Sequence, residues 1–226
     1  PGIRALMEVN GIEPERLGTY HLGFVIGPCL NATGRLDTAA RALELLQSRT
    51  RGEAVTAAGE LKALNDSRKS LTLRGVEEAE RRIESLHMDR DKVMVIFLPE
   101  VHESLAGIIA GRIKERYHHP VFILTRGEEG VKGSGRSVEG YHMYKALTEV
   151  KHYFTRFGGH AMAAGLSMRE EDIEGFRREL NEKCALDEED FVPRVHIDVP
   201  MPLRYATEEI ADQLELLEPY GVGNPR

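Results

Sequence analysis

The sequence predicts an α/β protein in which a helical segment and one long helix precede a domain of alternating strands and helices. Three observations support this fold class. From Pro1 to about Thr50 apolar residues recur at helical spacing with interruptions, and from Glu53 to Leu86 the helical spacing continues without a strand-like run. From Val93 onward, short apolar runs typical of buried strands alternate with helical patterns, which indicates an α/β domain.

The helical part divides into two segments. Up to Thr50 we expect a helical subdomain that is interrupted at Gly11-Ile12 and at Gly27-Pro28. From Glu53 to Leu86 the pattern predicts one helix, with Gly75 as a candidate kink, and a helix of about 30 residues extends about 45 Å. A helix of that length suits a connector between two domains.

The α/β domain is predicted from residue 91 to residue 187. We expect strands at Val93–Pro99, Pro120–Thr125, Val131–Val138 and Ala163–Met168, and helices at Glu103–Tyr117, Tyr141–Tyr153 and Glu170–Cys184. After an acidic link, the segment VHIDVPM is a candidate strand. A last helix is expected from Thr207 to Leu217, with Thr207 as its N-cap.

The composition is that of an ordinary globular protein, with 226 residues of which 41% are hydrophobic and 30% charged. The longest apolar run, Val93–Pro99, is much shorter than the roughly 20 residues that span a bilayer, so a membrane protein is not expected. Cys29 and Cys184 lie far apart without metal-ligand spacing, so neither a disulfide framework nor a zinc site is expected. A cytoplasmic location is the default expectation.

Charge is unevenly distributed along the chain. The formal net charge is −7, but residues 101–168 contain 9 Lys and Arg against 6 Asp and Glu, together with six of the nine histidines. Local positive potential of this kind attracts phosphate. The alternative is chance variation between solvated surfaces, and charge alone does not decide between the two.

The phrase KGSGRS, residues 132–137, has the chemistry of a phosphate-binding segment. Glycines let the backbone approach a ligand, Ser134 supplies a hydroxyl donor, and Arg136 supplies a planar guanidinium that matches phosphate oxygens. It is not a nucleotide-binding P-loop, because no GK[ST] follows the glycines. The alternative is a glycine-rich hairpin turn.

The phrase FGGHAMAAG, residues 157–165, combines adjacent glycines with a histidine. Gly158 and Gly159 allow a backbone path that is closed to other residues, and the small residues that follow permit close packing. His160 can carry a proton near neutral pH and could donate to a phosphate or a reacting oxygen. The alternative is a structural histidine at a turn.

The sequence contains no recognisable catalytic centre for bond cleavage. His102-Glu103 begins like the zinc motif HExxH, but the fifth residue is Ala106. No G-x-S-x-G elbow occurs, and no Asp and His cluster of the two-metal type can be assembled. The residues therefore indicate substrate binding without catalytic metals, and we expect no metal to be bound by this segment.

Taken in order along the chain, these motifs resemble the DHH phosphoesterase superfamily. KGSGRS and FGGH resemble the phosphate-binding segments of its DHH-associated domain, and HESLAGIIAGRIKERYHHPVFILT resembles the opening helix and second strand of that domain. GPCLNATGRLDTAARALELL is similar to the phrase that closes the catalytic domain in the RecJ branch of the superfamily. LNDSRKSLTLRGVEEAERRIE resembles the RecJ connector helix, and LEPYGVGNP resembles the start of its OB-fold domain.

The resemblance implies a domain organisation and a mixed sheet. Residues 1–52 would be the C-terminal helical part of a DHH catalytic domain, 53–90 the connector helix, and 91–187 the DHH-associated substrate-binding domain. Residues 188–226 would be a linker and the start of an OB-fold domain. Both ends of the chain are expected to be cut from a longer protein, with the metal-binding Asp and His motifs before Pro1.

The resemblance also implies an activity. It indicates a 5′→3′ exonuclease on single-stranded DNA in DNA repair and recombination, with Mn²⁺ or Mg²⁺ bound by the complete enzyme and no activity in this segment alone. A monomer is expected, with single-stranded DNA as substrate and a single-strand-binding protein and a RecQ-type helicase as candidate partners. Gly133, Ser134 and Arg136 would bind phosphate, Gly158 and Gly159 would line the active cleft, His160 would be catalytic, and Asn31 and Arg35 would lie at the rim of the catalytic domain.

Two other functions remain open from the sequence. One is a phosphoesterase of short oligonucleotides or cyclic dinucleotides from the same superfamily. The other is a non-catalytic nucleic-acid-binding module, like the related domain appended to alanyl-tRNA synthetases. The GPCLNATGR phrase and the LEPYGVGNP exit argue against the first, which is expected to lack both, and the connector helix and the GPCLNATGR phrase argue against the second.

Overall fold

The computed structural model describes residues 1–128, 130–194, 197, 199–221, 223 and 224. The chain divides into two units. The first unit combines Pro1–Ser67 with Arg194–Arg226, and the second is Arg68–Pro193.

The helices of the described chain follow one another in this order: α1 (Gly2–Val9), α2 (Thr19–His21), α3 (Gly27–Leu36), α4 (Ala40–Gln47), α5 (Arg51–Ser85), α6 (Glu103–Tyr117), α7 (Met143–Glu149), α8 (Ile173–Lys183) and α9 (Glu208–Glu215). The strands are β1 (Met94–Phe97), β2 (Val121–Gly127), β3 (Gly130–Arg136), β4 (Phe154–Gly159) and β5 (Ala163–Met168). None of the helices in the described ranges combines the length and the apolar character needed to cross a bilayer.

The core of the first unit is built by α1, α3, α4 and the first part of α5. Leu6, Cys29, Leu45 and Leu61 are fully buried in it. The expected interruption at Gly11 is present, since Gly11 follows α1 with a φ of 68°.

The expected interruption at Gly27-Pro28 is wrong. A π-helical turn, Leu22–Ile26, runs directly into α3, which begins at Gly27 with Pro28 in its first turn. Proline is tolerated there because the first N–H groups of a helix have no partner within the helix.

The single long helix predicted from Glu53 to Leu86 is confirmed as α5, Arg51–Ser85. Its start is set by a reciprocal cap. The Glu53 carboxylate accepts from the Thr50 N–H at 3.2 Å, and the Thr50 hydroxyl accepts from the Glu53 N–H at 3.3 Å. Gly75 lies inside this uninterrupted helix, and a Cβ added there would be 2.5 Å from Ile109 Cδ1, so its small size serves close packing against α6.

The second unit is built on one mixed sheet with strand order β1-β2-β3-β5-β4. β1 pairs with β2 in parallel, and the other neighbours are antiparallel. Alternate residues of β2 enter two cores, since side chains point to opposite faces of a strand. Val121 and Ile123 pack with α6 and the second part of α5, whereas Phe122 and Leu124 pack with α7 and α8.

The predicted α/β fold with a mixed sheet is confirmed, and two element predictions match at both ends, α6 and β5. The predicted cap of the last helix is also confirmed, because the Thr207 hydroxyl accepts from the Ile210 N–H. Three residues of the candidate strand VHIDVPM, at positions 195, 196 and 198, lie outside the described residues, and its other four, Ile197, Val199, Pro200 and Met201, do not form a strand.

Candidate phosphate-binding cleft

The KGSGRS phrase lies inside a strand of the second unit, which confirms the strand predicted in the region 131–138 and makes the alternative of a hairpin turn wrong. It occupies most of β3, which is hydrogen-bonded to β2 on one side and β5 on the other. The reason is non-local: two neighbouring strands supply the pairing that a glycine-rich segment does not favour by itself. The side chains of this segment therefore alternate between the two faces of the sheet.

At Gly133 and Gly135, the two glycines of the phrase, the position that a side chain would occupy faces the core. A Cβ on Gly133 would lie 2.5 Å from Leu124 Cδ2 and 2.9 Å from Leu166. A Cβ on Gly135 would lie 2.6 Å from the Phe122 ring. Leu124 and Leu166 are the register partners of Gly133 in the adjacent strands, so their side chains close over the space that glycine leaves.

Lys132, Ser134 and Arg136 occupy the opposite face, on the side of α6. The Arg136 guanidinium donates from Nη1 to Gly135 O at 2.8 Å and to Ser134 Oγ at 3.3 Å. Both side chains lie against Gly107 of α6, where an added Cβ would be 2.7 Å from Arg136 Nη2 and 2.9 Å from Ser134 Oγ. The fixed guanidinium and the hydroxyl group are thus presented together by the packing of α6 on the sheet.

The FGGH phrase begins in β4, an edge strand paired with β5. Gly158 is opposite Gly165, which in turn is opposite Ser134. A Cβ on Gly158 would meet no atom within 4 Å, and one on Gly165 would meet only Gly133 O, at 3.8 Å. This glycine pair leaves an open strip of backbone beside Ser134.

Gly159 ends β4 in a conformation that requires glycine. Its φ is 154°, and an added Cβ would be 2.4 Å from Ala163 O. The next residue, His160, is exposed, and its N–H donates to Ala163 O at 2.8 Å. Since Ala163 is the register partner of Arg136, His160 lies across one strand from Arg136.

A cleft of about 360 Å³ lies on this face of the sheet beside the start of α6. Its lining includes two of the residues that the sequence predicted for phosphate binding, Gly133 and Ser134. It also includes groups with polar or charged side chains that the sequence predictions had not placed at the site: Glu103, Ser104, Lys132, Arg156 and Ser167. Among the charged residues of the lining, Lys132 is held by Glu103, with Nζ 2.7 Å from Oε2.

Known proteins resemble this chain in both sequence and structure. Residues 90–186 match the DHHA1 domain family. The single-stranded-DNA-specific exonuclease RecJ of Escherichia coli (strain K12) is 39% identical over 98% of this chain and 40% of its own length. Crystal structures of RecJ from Thermus thermophilus, in complex with Mn²⁺ and with Mg²⁺, superpose with TM-scores of 0.86 and 0.84 at 32% identity, covering 99% of this chain.

The chain is a RecJ homologue. It spans about two fifths of the length of the E. coli relative and about a third of the two T. thermophilus chains. Residues 90–186 form the DHHA1 domain of this RecJ homologue, and that domain contains the whole cleft.

The other predicted residues lie in the first unit. Asn31 and Arg35 belong to α3, where Asn31 is exposed and Arg35 is half-buried. Across the described residues of this RecJ homologue, no group of three or more His, Cys, Asp or Glu side chains could hold a metal ion. The described residues therefore do not fit the divalent metals that the T. thermophilus structures contain.

Proposed function

We propose that this chain is the substrate-binding part of a single-stranded-DNA-specific exonuclease that digests DNA from 5′ to 3′ in repair and recombination. The proposal is supported by the similarity to RecJ exonucleases over nearly the whole chain. Mn²⁺ or Mg²⁺ would be bound in the complete enzyme by residues outside this segment. A cytoplasmic location, a monomeric state, and contacts with a single-strand-binding protein and a RecQ-type helicase stay predictions.

The observation that carries the proposal is the face of β3 that presents Ser134 and Arg136 beside an open glycine strip. A guanidinium and a hydroxyl group suit phosphate oxygens, and bare backbone lets a phosphate chain approach closely. Contacts of this kind bind any sequence equally, because the phosphate is the same for every base. Such a surface fits an exonuclease that must move along its substrate.

His160 is proposed to contact the reacting phosphate from the end of β4. Its imidazole is exposed, and the residue that precedes it is Gly159, whose φ of 154° favours glycine. Asn31 and Arg35 are proposed to line the rim of the catalytic domain. In the complete enzyme, His160→Ala should lower kcat much more than it changes KM, and a change in KM alone would contradict a role in turnover.

The binding proposal can be tested on the purified chain with 5′-phosphorylated oligonucleotides of several sequences. Arg136→Ala should weaken all of them by similar factors, on the order of tenfold for a charge-assisted hydrogen bond. The slope of log affinity against log salt should fall by about 0.7, the value for one phosphate contact on a single strand. Arg136→Lys should recover part of the affinity, because an ammonium group keeps the charge and loses the planar fork.

Arg178→Ala is the matched control, since Arg178 is an exposed arginine of α8, on the opposite side of the sheet. It removes the same charge and should leave affinity nearly unchanged. If both variants lose affinity equally, the binding reflects net charge and not the cleft. The chain alone is also expected to release no nucleotides in the presence of Mn²⁺ or Mg²⁺, and metal-dependent digestion by it would contradict the assignment of catalysis to other residues.

A further inference from the structure

A second group of polar side chains crosses the cleft away from Arg136. The register pairs Lys132 of β3 with Ser167 of β5, and Ser167 with Arg156 of β4. All three residues line the cleft, together with Glu103 at the start of α6. Two cationic groups and a hydroxyl group therefore lie side by side on three adjacent strands.

The row formed by Lys132, Ser167 and Arg156 is displaced from Arg136 along the strands. Lys132 and Arg136 are four residues apart on β3, which corresponds to about 13–14 Å at the usual rise of a strand. Between Lys132 and Arg136 lies a middle row of register partners, Ser134, Gly165 and Gly158. Two of these three residues are glycines and have no side chain. A phosphate chain can cross this middle row in contact with the backbone.

The two cationic residues of this row, Arg156 and Lys132, differ in their ion pairing. Arg156 is exposed, and its side chain takes part in no hydrogen bond or ion pair among the described residues. Lys132 is paired with Glu103, at 2.9 Å from Oε1 and 2.7 Å from Oε2. An anion in this part of the cleft would meet Arg156 directly and would compete with Glu103 for Lys132.

We propose that Arg156, Lys132 and Ser167 form a second phosphate subsite, and that Glu103 weakens it by competing for Lys132. Along β3, Lys132 lies about 7 Å from Ser134 and about 13–14 Å from Arg136, and at a stacked rise of about 3.4 Å per nucleotide these distances correspond to about two and four nucleotides. The second subsite therefore binds a phosphate about two to four nucleotides from the one at Ser134 and Arg136. The inference rests on the proposed function of the cleft, and it makes affinity depend on the length of the strand.

The test uses the purified chain and 5′-phosphorylated oligothymidylates of two and eight nucleotides. Arg156→Ala should weaken binding of the octanucleotide about three- to tenfold and reduce the slope of its log affinity against log salt by about 0.7. Affinity for the dinucleotide should be unchanged. Glu103→Gln should tighten the octanucleotide a few-fold without affecting the dinucleotide, because it removes the carboxylate that competes for Lys132 while keeping the side-chain shape. Arg178→Ala again controls for net charge, and Arg156→Lys should restore part of the loss.

The outcomes separate this inference from the proposed function. If Arg136→Ala weakens both lengths while Arg156→Ala and Glu103→Gln change neither, the second subsite does not exist and the cleft still binds phosphate. If Arg156→Ala weakens the two lengths equally, Arg156 shares the first phosphate and the second subsite is again overturned. If neither arginine matters at either length, the proposed function fails as well. Thermal unfolding of each variant shows whether the fold is retained.

Discussion

Replacing Gly107 by alanine should separate the stability of the DHHA1 domain from its affinity for phosphate. The added Cβ would lie 2.7 Å from Arg136 Nη2 and 2.9 Å from Ser134 Oγ. Carbon contacts normally lie at about 3.5–4.0 Å, so the guanidinium must move by about 1 Å. This movement disturbs the hydrogen bonds of Arg136 Nη1 to Gly135 O and Ser134 Oγ, which fix the direction of the guanidinium.

Two opposing effects set the expected stability. Alanine is favoured over glycine inside a helix by about 0.8–1 kcal/mol. A disturbed hydrogen bond costs about 0.5–1.5 kcal/mol, and both displaced atoms are at the ends of side chains that can rotate. The free energy of unfolding should therefore change little, while affinity for 5′-phosphorylated single strands should fall about three- to tenfold.

Gly111→Ala supplies the control in the same helix, one turn further on. A Cβ at Gly111 would meet no atom within 4 Å, so this variant gains helix propensity without disturbing the cleft. Urea unfolding should show it stabilised by about 0.5–1 kcal/mol, and fluorescence anisotropy should show unchanged affinity. If Gly107→Ala matched Gly111→Ala in both measurements, the placement of Arg136 and Ser134 against α6 would not matter for binding.

Three further predictions concern the core and the pH dependence of the second unit. Gly135→Ala should lower the free energy of unfolding in urea by about 1–3 kcal/mol, because the new Cβ would lie 2.6 Å from the buried Phe122 ring. An unchanged free energy of unfolding would mean that the strand can shift. Phe176→Ala should cost about 3–5 kcal/mol, since its fully buried ring packs edge-on against neighbouring aromatic rings. Burial lowers the pKa of His119, which stacks on Phe191 at 4.1 Å, so stability should fall as the pH drops below about 6.5, where the unfolded chain takes up the proton first. His119→Phe should flatten this dependence between about pH 7.5 and 5.5, and an unchanged slope would assign it to other groups.

The elements that sequence reasoning placed correctly are those with strong local signals. Helix α6 begins after His102, whose side chain accepts from the Ser104 N–H, and ends at His118 in a left-handed conformation. Its apolar residues keep helical spacing throughout. Strand β5 has a period-two burial pattern over part of its length, which is the local signature of a strand.

Strand β4 was missed because its signal is not local. Its sequence, FTRFGG, contains two glycines, and its residues are exposed or only half-buried. An edge strand of this composition exists because β5 supplies the pairing, and a bulge between Phe154 and Arg156 shifts the register. Since Arg156 enters the cleft only through that register, its position beside Ser167 could not be read from the sequence.

The candidate site was predicted in part for a similar reason. Ser134 and Arg136 were identified from their chemistry, and the structure places them together against α6. The sequence analysis predicted that the glycines of the KGSGRS phrase let the backbone approach a ligand. The register shows instead that Gly133 lies between Leu124 and Leu166, and that the glycines with open space over them are Gly158 and Gly165, which come from other strands.

The KGSGRS phrase thus contains a strand pattern of period two in which glycine stands at the buried positions. Gly133 and Gly135 are needed because larger side chains from β2 and β5 fill the core over them, and Lys132, Ser134 and Arg136 are then directed to the other face. Hydropathy does not reveal this alternation, because glycine contributes no apolar side chain of its own. The two sets of residues should consequently respond differently to substitution. Replacing the glycines should lower the free energy of unfolding, and replacing the polar residues should lower the affinity for phosphate.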